Sequence, residues 1–332
     1  MNASITAVGS LTVDEVREVL IAATAAPSLH NTQPWRFRCT PNAIELHADP
    51  DRALKAADPD HRELVLACGA ALLNLRLAIR SFGAVPDVRQ FPEHERPTLL
   101  AAVRACARRP ATPAERELAA AIPKRRTNRK PFREDLVPTV LQEHLRQAAE
   151  AERGWLAVLD RSQRSVLSAL SRKAHQAQLD DPEFVAEWQH WTGRSDHERD
   201  GVPARTSGPT PEPQDEFVVR DFSGGNSRTR VAGKDFEPEP LICVLGSFQD
   251  SRHAQLQAGM AMQRVLLTAT ANGLASSFLS QVVEVPDTRR ELRELLGCGL
   301  WPQIVLRIGY GSPVPATPRR PLEDVVTAEH RG

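Results

Sequence analysis

The sequence predicts an α+β fold with an internal repeat, and three observations carry that prediction. Residues 63–82 are apolar nearly all round, through Leu64, Val65, Leu66, Leu72, Leu73, Leu75, Leu77 and Ile79. A helix greasy on nearly every face is buried on nearly every face. A second stretch repeats the first: Gly259 follows Gly69, and Gly273 follows Gly83, by the same 190 residues. The runs 241–246 and 304–308 are β-rich and fit buried strands. Helices mixed with antiparallel-capable strands give the α+β class. The paired glycines suggest a duplication in which each copy supplies one central helix.

Taken in order, the first helix starts at Thr12, with Glu15 at capping-box spacing. Val13, Val16, Leu20 and Ile21 fall on one face, and Pro27 ends the helix. Short strands are expected at 35–38 and 44–47. The buried helix 63–82 stops at Gly83, and 107–123 reads as a polar connector and helix. A helix near 140–150 and a strand at 155–159 open the second half. Residues 180–240 then change character. Pro203, Pro209, Pro211 and Pro213 exclude a long helix, and Gly224-Gly225 marks a turn. Phe184, Trp188 and Trp191 favour packing of this segment onto something, which points to a lid over disorder. Residues 276–283 offer another strand, and the tail 315–326 has neither helical nor strand period.

The bulk numbers narrow the function classes. Lys plus Arg is 42 and Asp plus Glu is 42, so nothing in the charge favours nucleic acid or an anionic membrane as partner. Five scattered cysteines, mostly beside apolar residues, read as buried thiols in a reducing compartment. No leader pattern or membrane-spanning run is found, so a soluble, cytoplasmic protein is expected. There is no His-Glu-x-x-His, Cys-x-x-Cys, Gly-x-Ser-x-Gly or Gly-x-Gly-x-x-Gly. His190 and His197 lack a convincing third metal ligand. An organic cofactor would have to carry any hard chemistry.

Two stretches stand out as site candidates. The turn from Pro27 to Trp35 packs Ser28, His30, Asn31, Thr32 and Gln33 together, a density of donors and acceptors suited to a heterocycle edge or a polyol. The segment Lys124-Arg125-Arg126-Thr127-Asn128-Arg129-Lys130 is either a solvated charge run or an anion-capturing loop. Arg319 and Arg320, flanked by prolines, form a second stiff basic point.

These residues carry a resemblance. Ala26-Pro27-Ser28-Leu29-His30-Asn31-Thr32-Gln33-Pro34-Trp35 resembles the Ala-Pro-Ser-x-x-Asn-x-Gln-Pro-Trp turn of the FMN-dependent nitroreductase superfamily. Arg125 to Phe132 is similar to its Arg-Arg-Ser-x-Arg-x-Phe segment, with Thr127 for Ser and one residue inserted. Gly273-Leu274-Ala275 and Arg319-Arg320-Pro321-Leu322-Glu323 resemble its later elements, and the whole chain looks most like the Acg-type branch.

The resemblance implies a nitroreductase-like fold in which each motif occurs once, so that the chain is a single-chain pseudo-dimer. Residues 1–120 would be the first lobe and 121–332 the second, with a lid insertion at about 180–240. One FMN site would remain, the other having decayed, since Ala148-Ala149-Glu150 stands where the first lobe has its Pro-Ser turn. Carried over by motif, Arg125, Thr127 and Arg129 would hold the phosphate and ribityl end, with Thr317, Arg319 and Arg320 closing over it. Ser28, Leu29, His30, Asn31 and Thr32 would line the ring from the opposite lobe, and the backbone at Leu279, Ser280 and Gln281 would approach it. The implied activity passes hydride from NAD(P)H through FMN to a nitro compound or quinone, without a catalytic side chain or metal. A closed lid would instead give an FMN-sequestering protein, and an α+β interaction protein without cofactor is the third alternative. A chain carrying both halves of its site need not dimerise.

Overall fold

The computed structural model describes residues 5–212, 214–217, 220–223, 236–237 and 239–327. Pro213 and the Gly224-Gly225 turn lie outside the described residues. The first half runs α1 (Val13–Thr24), β1 (Trp35–Cys39), β2 (Ile44–Ala48), α2 (Arg62–Ser81), β3 (Ala84–Gln90), β4 (Leu99–Arg108) and α3 (Pro113–Ala121). The second runs α4 (Thr139–Glu150), β5 (Trp155–Val158), α5 (Arg161–Leu179), α6 (Pro182–Trp191), β6 (Thr192–Arg194), β7 (Val202–Pro203) and β8 (Leu241–Ser247). It closes with α7 (Arg252–Ala271), β9 (Ala275–Phe278), α8 (Gln281–Glu284), α9 (Pro286–Leu295), β10 (Trp301–Gly309) and α10 (Leu322–Val325).

Two four-stranded antiparallel sheets form, ordered β1-β2-β4-β3 and β5-β8-β10-β9. The orders are the same once β5, β8, β9 and β10 are set against β1, β2, β3 and β4. The helix that follows the second strand is α2 in one half and α7 in the other. These two pack on each other, and one continuous core takes residues from both halves. Arg62–Ser81 is long and apolar enough to cross a membrane, and it is buried here as the central helix.

Gly69 and Gly259 set the α2–α7 contact. A Cβ on Gly69 would lie 2.2 Å from the Leu256 carbonyl oxygen, and one on Gly259 would lie 2.1 Å from that of Leu66. Leu256 follows Leu66 by the same 190 residues as the glycines. The crossing is therefore approximately two-fold in its sequence as well as in its geometry.

Several elements differ from expectation. The strands β3 and β4 fall where none was foreseen, and the helices α5 and α9 likewise. The second-half repeat is interrupted between β5 and β8, so the interruption begins with α5 at 161, earlier than 180. The tail does not stay with its own half: Val326 bridges Phe37 of β1, and the Thr327 N–H donates to the Phe37 carbonyl at 2.8 Å. Residues 276–283 split into β9 and the short helix α8.

Candidate functional site

The turn after α1 is held in a conformation its residues do not choose freely. His30, Asn31 and Gln33 have φ of +49°, +56° and +53°, in the left-handed region. Each such residue costs on the order of 1–3 kcal/mol and persists only where neighbours over-determine it. Here they do. Ser28 Oγ accepts the Gln33 N–H at 2.9 Å, and Asn31 Nδ2 donates to the carbonyls of Gly201 (2.9 Å) and Pro318 (3.2 Å). Gln33 Nε2 reaches the Arg199 carbonyl at 2.9 Å, and Gln33 Oε1 accepts the Arg320 N–H at 2.8 Å.

The basic segment is pinned to the second half. Thr127 bridges Ser276, and the Asn128 N–H donates to the Ser276 carbonyl at 2.8 Å. Arg307 of β10, buried and paired with Glu237 at 2.7 Å, donates to the Lys130 carbonyl. The two motifs thus come from opposite sheets.

They meet at one cleft whose wall is drawn from both halves. Of the residues expected there, Ser28, Leu29, His30, Thr127, Arg129 and Ser280 line it. Glu63, Leu66 and Ala67 of α2, Met262 of α7, Phe278, Ile304 and Phe222 complete the wall and were not foreseen. Leu66 and Met262 could have been suspected from the central helices. Phe222 sits in a segment without periodicity and gave no signal.

The remaining expected residues lie behind or away from the wall. Asn31 and Thr32 are buried in the bonds of the turn, Thr32 Oγ1 donating to the Leu29 carbonyl. Leu279 spends its N–H on the Val305 carbonyl, and Gln281 is buried at the start of α8. Thr317 Oγ1 accepts from Arg319 at 2.9 Å. Arg319 donates to the Thr24, Ala25 and Ala26 carbonyls, where a cation suits the C-terminal end of α1, and to Asn31 Oδ1. Arg320 turns the other way, toward the Gln33 and Asp324 carbonyls, with Asp49 at 3.7 Å.

Two residues before Thr127, Arg125 is only 4% exposed, and its Nε and Nη1 have no partner among the described residues. Burial, then the charges of Arg319 and Arg126, push its guanidinium down to about 9. A buried cation facing further cations is costly unless an anion joins them. The donor set fits a phosphate.

His30 is 3% exposed, and neither ring nitrogen has a partner among the described residues. Burial lowers it to about 4, with Glu284 opposing and Arg220 and Arg129 adding to the shift. It is neutral near pH 7 and can offer one donor and one acceptor. No cluster of three or more metal-ligating side chains exists among the described residues.

Described residues of the segment between β5 and β8 reach the cleft, Phe222 standing on its wall. The Phe222 ring centroid lies 6.4 Å from His30 and 6.1 Å from Trp188, and Arg129 stacks 4.4 Å above Phe222. Phe184 and Trp188 of α6 pack with Leu54 and Ala57 of the first half. The Glu187 carboxylate accepts the N–H groups of Lys55 (2.6 Å), Ala56 (3.3 Å) and Ala57 (2.9 Å), and Asp200 pairs with Arg52 and Arg194. Gly208, at φ +84°, lets the segment approach Arg129, whose carbonyl oxygen would be 2.6 Å from a Cβ.

No family model matches the chain. It is 38% identical over 320 residues to a Mycobacterium tuberculosis protein named "Putative NAD(P)H nitroreductase Rv3131", covering 94% of this chain and 91% of that one. It is 32% identical over 324 residues to "Putative NAD(P)H nitroreductase acg" of the same organism, covering 95% and 96%. Among solved structures it is similar to the FMN-dependent nitroreductase NfnB of Mycobacterium smegmatis in complex with NADPH. That match has 18% identity and a TM-score of 0.41, over 65% of this chain and 99% of that one.

Proposed function

The chain belongs to the Acg-type branch of the nitroreductase family, and from that premise we propose that it is an FMN-dependent NAD(P)H oxidoreductase. The observation that carries the reading is the Arg125 guanidinium, buried beside Arg319 and Arg126 with two nitrogens unpartnered. FMN held there would supply hydride chemistry, accepting from NAD(P)H and passing on to a nitro compound or quinone. Arg125 would bind the phosphate, with the charges of Arg319 and Arg126 beside it. Thr127 and Arg129 are on the cleft wall itself. Ser28, Leu29 and His30 would line the ring, and Leu66, Ala67, Met262 and Ile304 would exclude water from the site.

We read the two halves as a fused pair, residues 1–120 and 121–332, with one site per chain. The repeat supports this, and so does the position equivalent to Glu63. There stands His253, whose ring is 4.3 Å from Phe91, and no arginine-rich segment accompanies it.

A second reading rests on the segment over the cleft. With Phe222 and Trp188 in place, a nicotinamide has a restricted approach, and the chain would hold FMN in store. One experiment decides. The purified protein is expected to be yellow, with about one flavin per chain, and anaerobic NADPH should bleach it if the chain is an oxidoreductase. Persistent colour favours storage, and a colourless protein that takes up no FMN sinks both readings.

A further inference from the structure

Glu63 lines the cleft, and its neighbour Arg62 lines a second hollow. Glu63 is the one carboxyl group on the wall of the cleft among the described residues, at the first turn of α2 and 7% exposed. Its Oε1 accepts from Arg62 Nη2. Arg62 shares that hollow with Asp58 and Glu284 among others. Asp58 accepts the backbone N–H groups of Glu63 (3.0 Å) and Leu64 (2.9 Å), so it is fixed against the base of the same turn. Arg62 is itself locked, donating to the carbonyls of Gln303 and Val283.

We propose that Glu63 is the proton donor of the cleft, protonating the acceptor as it is reduced and recovering its proton from the hollow that Arg62 lines. The proposal rests on the oxidoreductase reading above. A quinone becomes a hydroquinone by gaining one hydride and one proton. The hydride carries two electrons drawn from NAD(P)H, which is oxidised to NAD(P)+. The proton comes from the Glu63 O–H bond, which breaks to leave its electron pair on the carboxylate, while the new O–H bond forms at the acceptor oxygen. One proton taken up through the hollow, past Asp58, resets the carboxyl.

The groups facing Glu63 suit that task. Arg62 is on its own helix, Asp58 in the loop before it, Glu284 on α8 with Arg220 from the covering segment, and His30 and Arg129 are on the cleft wall. Burial, opposed by Arg62 and reinforced by Asp58 and Glu284, pushes the Glu63 carboxyl up to about 7. Burial also raises Asp58, to about 6, so both can exchange protons near neutrality. Arg220 holds Glu284 down to about 2 against its own burial, so that carboxylate stays ionised and cannot serve.

The test uses the flavin-loaded protein, its Glu63→Gln and Glu63→Asp variants, and a quinone acceptor. Wild-type kcat should fall as pH rises through about 7, because a donor must be protonated. Glu63→Gln should keep one flavin per chain, lose about a hundredfold in kcat, and lose that limb of the profile. Glu63→Asp should restore the limb in part. Independently of turnover, infrared difference spectra of the protein across the same pH range should show a carboxyl band absent from Glu63→Gln. A flavin-loaded Glu63→Gln with the wild-type rate and pH limb would overturn the proposal, as would spectra without such a band. In both of those cases the flavin reading stands. A wild type that takes up no flavin overturns that reading, and this one with it.

Discussion

Gly69 and Gly259 touch backbone to backbone: a Cβ on the first would lie 2.9 Å from the Cα of the second, and one on the second 3.0 Å from the Cα of the first. Neither clash can be relieved by a side-chain rotation, because the opposing atoms are main chain. Gly69→Ala should therefore push α2 and α7 apart and cost about 3 kcal/mol or more. Because both halves share that core, unfolding is expected as a single transition at lower denaturant concentration. Two separated transitions, or an unchanged midpoint, would contradict this account of the seam.

Arg125 gives the sharpest ligand test. Each charge-assisted bond to phosphate contributes ~1.5–3 kcal/mol, so Arg125→Ala should weaken FMN binding by roughly 10- to 100-fold. The flavin-free protein should move the other way and gain stability, since a buried cation without an anion has been removed. Paired titrations of FMN affinity and urea midpoint check both signs. A structural role alone would lower both.

Two acidic side chains are among the contacts that fasten the described part of the covering segment, and both can be neutralised without loss of bulk. Asp200→Asn removes the partner of Arg52 and Arg194, and Glu187→Gln removes the charge gathered on the Lys55, Ala56 and Ala57 N–H groups. The double variant should bleach several-fold faster with NADPH in anaerobic stopped flow, at unchanged flavin content. Equal rates would mean that the segment is no barrier.

Two groups on the cleft wall make stability depend on pH with opposite sign. Glu63 binds its proton more tightly folded, at about 7 against an ordinary 4.5, so its contribution is lost as pH rises between those values. His30 binds its proton less tightly folded, at about 4 against 6.5, so stability is lost as pH falls through that window. Relative to wild type, Glu63→Gln should gain stability from pH 5 to pH 8, by ~3 kcal/mol at most. His30→Asn, which tolerates the left-handed backbone, should gain from pH 7 to pH 4. Melting temperatures of the three proteins at four pH values measure both slopes.

Much of the scaffold was legible because local signals agreed with the tertiary outcome. The Thr12–Glu15 capping box forms as expected, and the all-apolar stretch is the buried α2. The strands β3 and β4 escaped for identifiable reasons. Pro86 argues against a strand, yet β3 is an edge strand where a missing N–H does little harm. Ala101, Ala102, Ala105 and Ala107 give β4 weak β propensity, and its place between β2 and β3 overrides that. At the cleft, motif residues announced themselves by polar density. Glu63 ends a charged run, after Asp58, Asp60, His61 and Arg62, that reads as a solvated helix start, and Arg320 shared a motif with Arg319 yet faces Gln33 and Asp324. Such directions are set by packing, which spacing along the chain does not record.

The matched sheets hang on one polypeptide, and that changes what heredity can do with them. In an assembly of two identical subunits, every substitution arrives twice and must be tolerated in both settings at once. Here it arrives once. The turn at Ser28 and the loop at Arg125 can each drift toward their own task, and neither burdens a twin elsewhere in the molecule.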